Sequence, residues 1–515
     1  MSAPLPARAP SGLRRSAQMT LVARDLAVAR CRGSGPARDR VLGDVARRLG
    51  LLHGLPQKLG QLMAFSELES SDPAFAPLTE NAPTLAAGAA FAAIESALGA
   101  PIASRFRELA PEGISASIGQ VHRGVLQDGR PVAVKVQYPG IAECIEWDLK
   151  ALGWITAPVG DLSRGFDLAA YRREIGRSLR EELDYAREAA ALQQFRAWTR
   201  GWPTVVTPEL IPACSRGSVL TMTWLDGLPL SRARNAPRAD RVAFASTLVR
   251  LLLHGLFRWR GIHADPHPGN FRFLSGPDGP RVGVLDFGCM QEIGPDWASG
   301  LASLLDAVEQ RSDTEAEVLA GFRSMGFDTD RLSPLAGKLV ELLRVLAEPF
   351  LTEGEWQPAT WRLGERLGTL LGEHRMTFRT AGPPSLIFIL RAFQGLLQYL
   401  KAFDVPVRWR DAWKEVRPRV PSKPGLRAGP AAAPGAARRL HVRILEHGLP
   451  RVELTLPSSA LGSVAELMPT DVVARLDRRG LSVSEIGARA LRAGCPAGEV
   501  FLDRHDAREI RVWLE

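Results

Sequence analysis

Two short stretches constrain this 515-residue chain more than any other. The first is Gly261-Ile262-His263-Ala264-Asp265-Pro266-His267-Pro268-Gly269-Asn270, and the second is Val284-Leu285-Asp286-Phe287-Gly288. They are separated by Phe271-Arg272-Phe273 and a turn at Pro277-Asp278-Gly279, which is the length of a hairpin. A phosphoryl group carried on a metal-nucleotide complex needs carboxylate or amide oxygens on the metal and a carboxylate near the acceptor. It needs little covalent help from the protein. Asp265, Asn270 and Asp286 supply that set of oxygens.

The order and spacing are those of a protein kinase: a loop His-x-Asp-x-x-x-x-Asn, a hairpin, then Asp-Phe-Gly. Either motif alone is weak, whereas the two together in register are specific. The chain is long enough for two or three domains, and its 45% hydrophobic content supports sizeable cores. A net charge of +9 allows contact with anionic surfaces, but the arginines are scattered, so nucleic-acid binding is not expected. The five cysteines are far apart with no Cys-x-x-Cys pair, which argues against a disulfide framework or structural zinc. No signal-peptide pattern is evident. The most apolar run, residues 385–400, is broken by Arg391 and Gln394 and reads as a buried helix. No transmembrane segment is therefore expected, and the location reads as cytoplasmic, peripheral to the inner membrane face at most.

Upstream, Ile114 to His122 and Val125-Leu126 lead through a turn at Asp128-Gly129 into Val132-Ala133-Val134-Lys135-Val136. Alternation places Ala133 and Lys135 on one strand face, where a small side chain beside a lone cation suits adenine and its phosphates. In the preceding loop only Gly119 can adopt positive φ without strain. A helix capped by Asp167 and running towards Phe195 carries Glu181, Glu182, Asp184 and Glu188, one of which should pair with Lys135. Spacing alone does not select which. Val219 to Gly227 reads as a strand ending at a hinge, and a helix from Val242 to Trp259, capped by Asp240, delivers the chain to the loop. Near the N-terminus, Lys58-Leu59-Gly60-Gln61 puts a glycine inside a helical pattern, which costs about 1 kcal/mol relative to alanine.

Residues 39–419 resemble the UbiB family (ABC1, AarF, ADCK or COQ8), atypical kinase-like proteins linked to ubiquinone and other isoprenoid lipids. Five ordered motifs carry the resemblance: Lys58-x-Gly60-Gln61, Ser117-Ile118-Gly119-Gln120-Val121-His122, Val134-Lys135-Val136-Gln137-Tyr138-Pro139-Gly140, Glu182-x-Asp184, and His263 to Asn270. It implies that Lys58, Gly60 and Gln61 occlude the substrate entrance by meeting Glu182 and Asp184, leaving Glu188 as the partner of Lys135. It further implies catalytic roles for Asp265 and Lys135, Mg²⁺ on Asn270 and Asp286, and ATP lying among Ala116, Ser117, Gly119, Ala133, Lys135 and Glu188. The family's activity is that of an ATPase or a small-molecule-directed kinase. Ile114 and Ser115 depart from its usual alanines, and Thr223 stands where a glutamate is common.

The expected fold is α+β: a bilobal kinase-like body with an N-terminal helical extension and a small C-terminal α+β module. The corresponding segments are an Arg/Ala-rich arm (1–38), the helical extension (39–112), an N-lobe with inserted helices (113–230), a helical C-lobe (231–420), a Pro/Ala/Gly linker (421–438) and the accessory module (439–515). In that module, hairpins are expected at residues 440–444 with 452–457 and at 498–502 with 509–513, and helices between them, residues 482–491 being the clearest. The expected partners are ATP, a lipid or small-molecule substrate and an anionic membrane surface, with the module binding protein or self-associating. Two other readings share the loop: a soluble phosphotransferase of the aminoglycoside or choline kinase type, and a nucleotide-gated scaffold.

Overall fold

The structure, a computed structural model, describes residues 84–116, 118–146, 176–374, 377–378, 381–418, 439–446, 449–457, 495–505 and 508–515, with a few positions between 482 and 490. The chain forms two compact units, Met1–Pro418 and Arg419–Glu515.

In the first unit, helix α1 (Ala87–Leu98) precedes strands β1 (Phe106–Ser115), β2 (Gly119–Leu126) and β3 (Pro131–Gln137). β2 pairs antiparallel with both neighbours. The run expected as one strand from Ile114 to His122 is two, because the chain reverses at residues 116–119, where the Ala116 N–H donates 2.8 Å to the Gly119 carbonyl. Gly119, the loop residue able to take positive φ, does not do so. It lies buried in β2, where a Cβ would meet the Val136 carbonyl at 2.2 Å, so glycine is required by strand approach.

Val132, Val134 and Val136 are fully buried against Ile94 and Leu98 of α1, which leaves Ala133 and Lys135 on the opposite face. Behind the sheet, Gln120 and His122 form a buried polar clip. The Gln120 Oε1 accepts from the Leu85 N–H at 2.7 Å, and its Nε2 lies 2.7 Å from His122 Nε2. His122 Nδ1 lies 2.8 Å from the Ala110 carbonyl, so it donates there and Nε2 accepts from Gln120. The ring is therefore neutral, and burial holds its pKa below the ordinary value.

The acidic region is helical from residue 176, but it is not continuous to Phe195 as expected. The chain breaks at Asp184, whose carboxylate accepts from the Ala186 and Arg187 N–H groups and starts a new helix, α2 (Tyr185–Trp198). Strand β4 (Val219–Thr223) completes the four-stranded sheet in the order β1-β2-β3-β4.

Helix α3 (Arg238–His254) begins after Pro237, four residues before its expected start, with Asp240 in its first turn instead of at the cap. It widens into a π-turn over Gly255–Trp259 and releases the chain through Arg260, at φ 53°, into β5 (Gly261–His263). A hairpin of β6 (Phe271–Leu274) and β7 (Arg281–Val284) follows, then β8 (Met290–Glu292), antiparallel to β5. The remaining helices include α4 (Pro295–Glu309), α5 (Leu339–Leu351), α6 (Leu386–Phe403) and α7 (Trp409–Val416). They bury one large apolar core containing Phe244, Phe273, Trp361, Phe403 and Trp409. α3 with its π-turn, and α6, are long and apolar enough to cross a membrane, yet both are packed into that core.

In the second unit, β9 (Arg439–Glu446), β10 (Leu449–Pro457), β11 (Gly498–His505) and β12 (Arg508–Leu514) form one sheet in the order β10-β9-β12-β11. Both expected hairpins are present, and β9 joins them by pairing with β12. Leu440, Val442, Ile510 and Val512 alternate onto its buried face.

Candidate active site

Lys135 is the central cation of the site. From β3 its Nζ donates to both oxygens of Glu188, at 2.8 and 2.9 Å, and to Asp286 Oδ2 at 2.8 Å. Glu188 is placed by the Asp184 cap, which puts it in the first turn of α2, where a carboxylate also faces the positive helix end. A buried carboxylate, Glu188, and a half-buried one, Asp286, share one ammonium. Burial and the neighbouring Asp286 raise the Glu188 carboxyl to about 7 against the pull of Lys135. Burial also acts to raise Asp286, but Lys135 and the Gly288 N–H, 2.9 Å from Oδ1, overrule it and hold that carboxyl below the usual range. Lys135 is itself raised well above a free lysine, because the carboxylates outweigh its burial.

The loop from His263 to Asn270 is fixed from several sides. His263 Nδ1 accepts the Asp265 N–H at 3.3 Å, so its Nε2 donates to the Asp286 carbonyl, 2.6 Å away. Burial lowers its pKa, and this neutral ring ties the loop to the Asp-Phe-Gly segment. Asn270 Nδ2 donates 3.1 Å to the Asp265 carbonyl, which leaves its Oδ1 as an acceptor for a cation. Asn270 and Asp286 thus offer oxygen donors that suit Mg²⁺, an ion that ordinarily completes its shell with water and phosphate oxygens. No group of three or more His, Cys, Asp or Glu side chains gathers to hold a metal among the described residues.

The partner that sequence reading missed is Arg391. It lies in α6, 126 positions from Asp265, and its Nη2 donates to Asp265 Oδ1 at 2.6 Å. Burial opposes its charge, and Asp265 more than compensates, raising its pKa. The same helix face holds the loop twice more. A Cβ on Gly395 would meet Pro266 Cβ at 1.9 Å, and the Tyr399 hydroxyl donates to the Pro266 carbonyl at 3.1 Å. Residues 391, 395 and 399 recur every fourth position, so one stripe of α6 grips Asp265-Pro266. The available signal was the lone arginine interrupting the apolar run.

The other expected site residues divide into three groups. Ala116, Gly119 and Ala133 lie on or beside the β2–β3 pair, with Ala133 opposite Met222. Glu182 is buried, with its Cγ 3.6 Å from the position of a Cβ on Gly288, and Asp184 acts as the α2 cap. Lys58, Gly60, Gln61 and Ser117 lie outside the described residues.

Residues 77–318 match the ABC1 atypical kinase-like domain. The kinase-like part of this chain is similar to the ABC1 family. Among curated relatives, the mitochondrial atypical kinase coq-8 of Caenorhabditis elegans is 29% identical over 364 residues, covering 68% of this chain and 47% of that protein. The mitochondrial atypical kinase COQ8 of Saccharomyces cerevisiae is 26% identical over 312 residues, covering 59% of this chain and 60% of its own length. The chain spans about half the length of the curated relatives it matches, with coverages of 47%, 56% and 54%. Among solved structures, Rv3197 of Mycobacterium tuberculosis, determined in complex with erythromycin, aligns with 79% of this chain and 98% of its own. That alignment has a TM-score of 0.52 at 23% identity, a likeness of fold. The domain match and this structural likeness agree on a kinase-like fold.

Proposed function

We propose that this protein binds Mg·ATP and catalyses hydrolysis of ATP or phosphoryl transfer to a small molecule, in support of isoprenoid-quinone or related lipid metabolism. The observation that carries the reading is Lys135 bridging Glu188 and Asp286, with Asp265 held nearby by Arg391. In this reading Lys135 contacts phosphate oxygens and Glu188 orients it. Asn270 and Asp286 would hold the magnesium, which supplies charge neutralisation on the phosphates when bound. Asp265 receives or orients the acceptor proton, and the small Ala133 leaves room for the base. The lipid connection follows from the COQ8 relatives, and the net charge of +9 supports peripheral contact with anionic membranes.

The test is thermal stabilisation of the full chain by Mg·ATP, with ATP turnover measured beside it, with and without vesicles containing anionic lipid. Wild type is expected to gain stability by mass action, and Asp286→Asn to lose most of that gain and the turnover. Equal stabilisation of both proteins would refute the metal assignment.

A further inference from the structure

One strand step beyond Asn270 stands a residue with no role in the reading above. Phe271 and Phe273 of β6 are buried in the helical core, so strand alternation puts Arg272 on the opposite face. That face runs beneath the segment joining the lobes. A Cβ on Gly227 would sit 2.9 Å from Arg272 Cβ, and Leu228 and Phe273 exchange backbone hydrogen bonds. The N-lobe sheet gives the cleft its direction. Lys135 pairs with Leu220 and Ala133 with Met222, so the step from lysine to alanine leads towards Thr223-Trp224 at the start of the same connection. Phosphates at Lys135 therefore place the nucleoside towards the connection, over Arg272.

The chemistry of Arg272 suits that place. It is a half-buried cation whose Nη1 donates to the backbone carbonyls of Gly269 and Phe271, at 3.2 and 2.8 Å, with no carboxylate partner among the described residues. Burial lowers its pKa, with the Tyr399 hydroxyl acting in the opposite direction. A guanidinium is weakly hydrated and planar, and it stacks on aromatic faces. The cleft face of the N-lobe sheet shows the same preference, with Arg123 stacked 5.0 Å over the Trp224 ring.

We infer that Arg272 is a specificity-determining residue of the nucleotide cleft: its guanidinium lies against the base of the bound nucleotide and favours a purine, the larger π-surface, over a pyrimidine. The inference rests on the nucleotide reading above. Its test compares the dissociation constants of Mg·ATP, Mg·CTP and Mg·tripolyphosphate for the full-length wild type, Arg272→Leu and Arg272→Lys, by calorimetry.

Wild type is expected to prefer ATP to CTP. Arg272→Leu is expected to bind ATP about tenfold more weakly, to lose most of the purine preference and to hold tripolyphosphate as wild type does. Retained tripolyphosphate binding also reports that the variant is folded. Arg272→Lys, which keeps the charge without the plane, is expected to fall between the two. Unchanged ATP affinity in Arg272→Leu overturns the inference, as does a parallel loss of tripolyphosphate, which would place the guanidinium on the phosphates. A wild type that binds neither ATP nor tripolyphosphate overturns the nucleotide reading itself, an outcome visible without any variant.

Discussion

Replacing Arg391 by methionine tests how the loop carboxylate is held. The side chain is 4% exposed and that of Asp265 15%, and their contact is a charge-assisted hydrogen bond of 2.6 Å. Methionine fills similar volume but leaves Asp265 without its guanidinium. Removing one member of a buried pair costs about 3 to 5 kcal/mol, and the residual exposure of Asp265 puts this case near about 3 kcal/mol. The pair itself is worth less than that loss, because much of the loss is an uncompensated charge. Asp265→Asn in the same background should therefore recover part of it. A cycle of wild type, Arg391→Met, Asp265→Asn and the double variant is expected to show coupling of about 2 kcal/mol. Urea unfolding followed by tryptophan fluorescence is suited to the measurement: of the 12 tryptophans only Trp513 falls in the second unit, so the signal reports the kinase-like one. Additive single effects, within about 0.5 kcal/mol, would refute the claim that the two side chains act as a pair.

Gly395→Ala should destabilise by about 1 to 3 kcal/mol, although alanine is the better helix former by about 1 kcal/mol, because its Cβ would collide with Pro266; a rise in melting temperature would contradict that packing. His122 supplies a pH dependence. Its folded pKa lies below the unfolded value, so its contribution is complete above the unfolded pKa of 6.5 and is lost as pH falls through the folded value. Amide exchange at Leu85, held through Gln120, is expected to accelerate beyond the intrinsic rate as pH falls below about 6.5, and His122→Asn should remove that dependence.

Local chemistry made much of this molecule legible in sequence. Ala133 and Lys135 share a face because strands alternate, and the loop from His263 to Asn270 meets Asp286 because the hairpin between them is too short to do otherwise. Glu188 could not be selected by spacing. Its position depends on Asp184 ending one helix and capping the next, a competition between side-chain capping and helix continuation that periodicity does not register. The role of Gly119 was misread for a related reason: loop composition suggested backbone freedom, whereas the need arises from Val136 on another strand. Arg391 was noticed as an interruption in an apolar run, but its partner lies 126 positions away, and no local pattern encodes that contact.

The stripe formed by Arg391, Gly395 and Tyr399 has a further consequence for how this chain can diverge. An α-helix turns 100° per residue, so inserting or deleting one residue between Arg391 and Tyr399 would carry one end of the stripe away from the loop. Point substitutions elsewhere on α6 leave the loop contacts in place, but a change in helix length there disconnects them together. Length within that helix is thus constrained by geometry, independently of which apolar residues line its remaining faces.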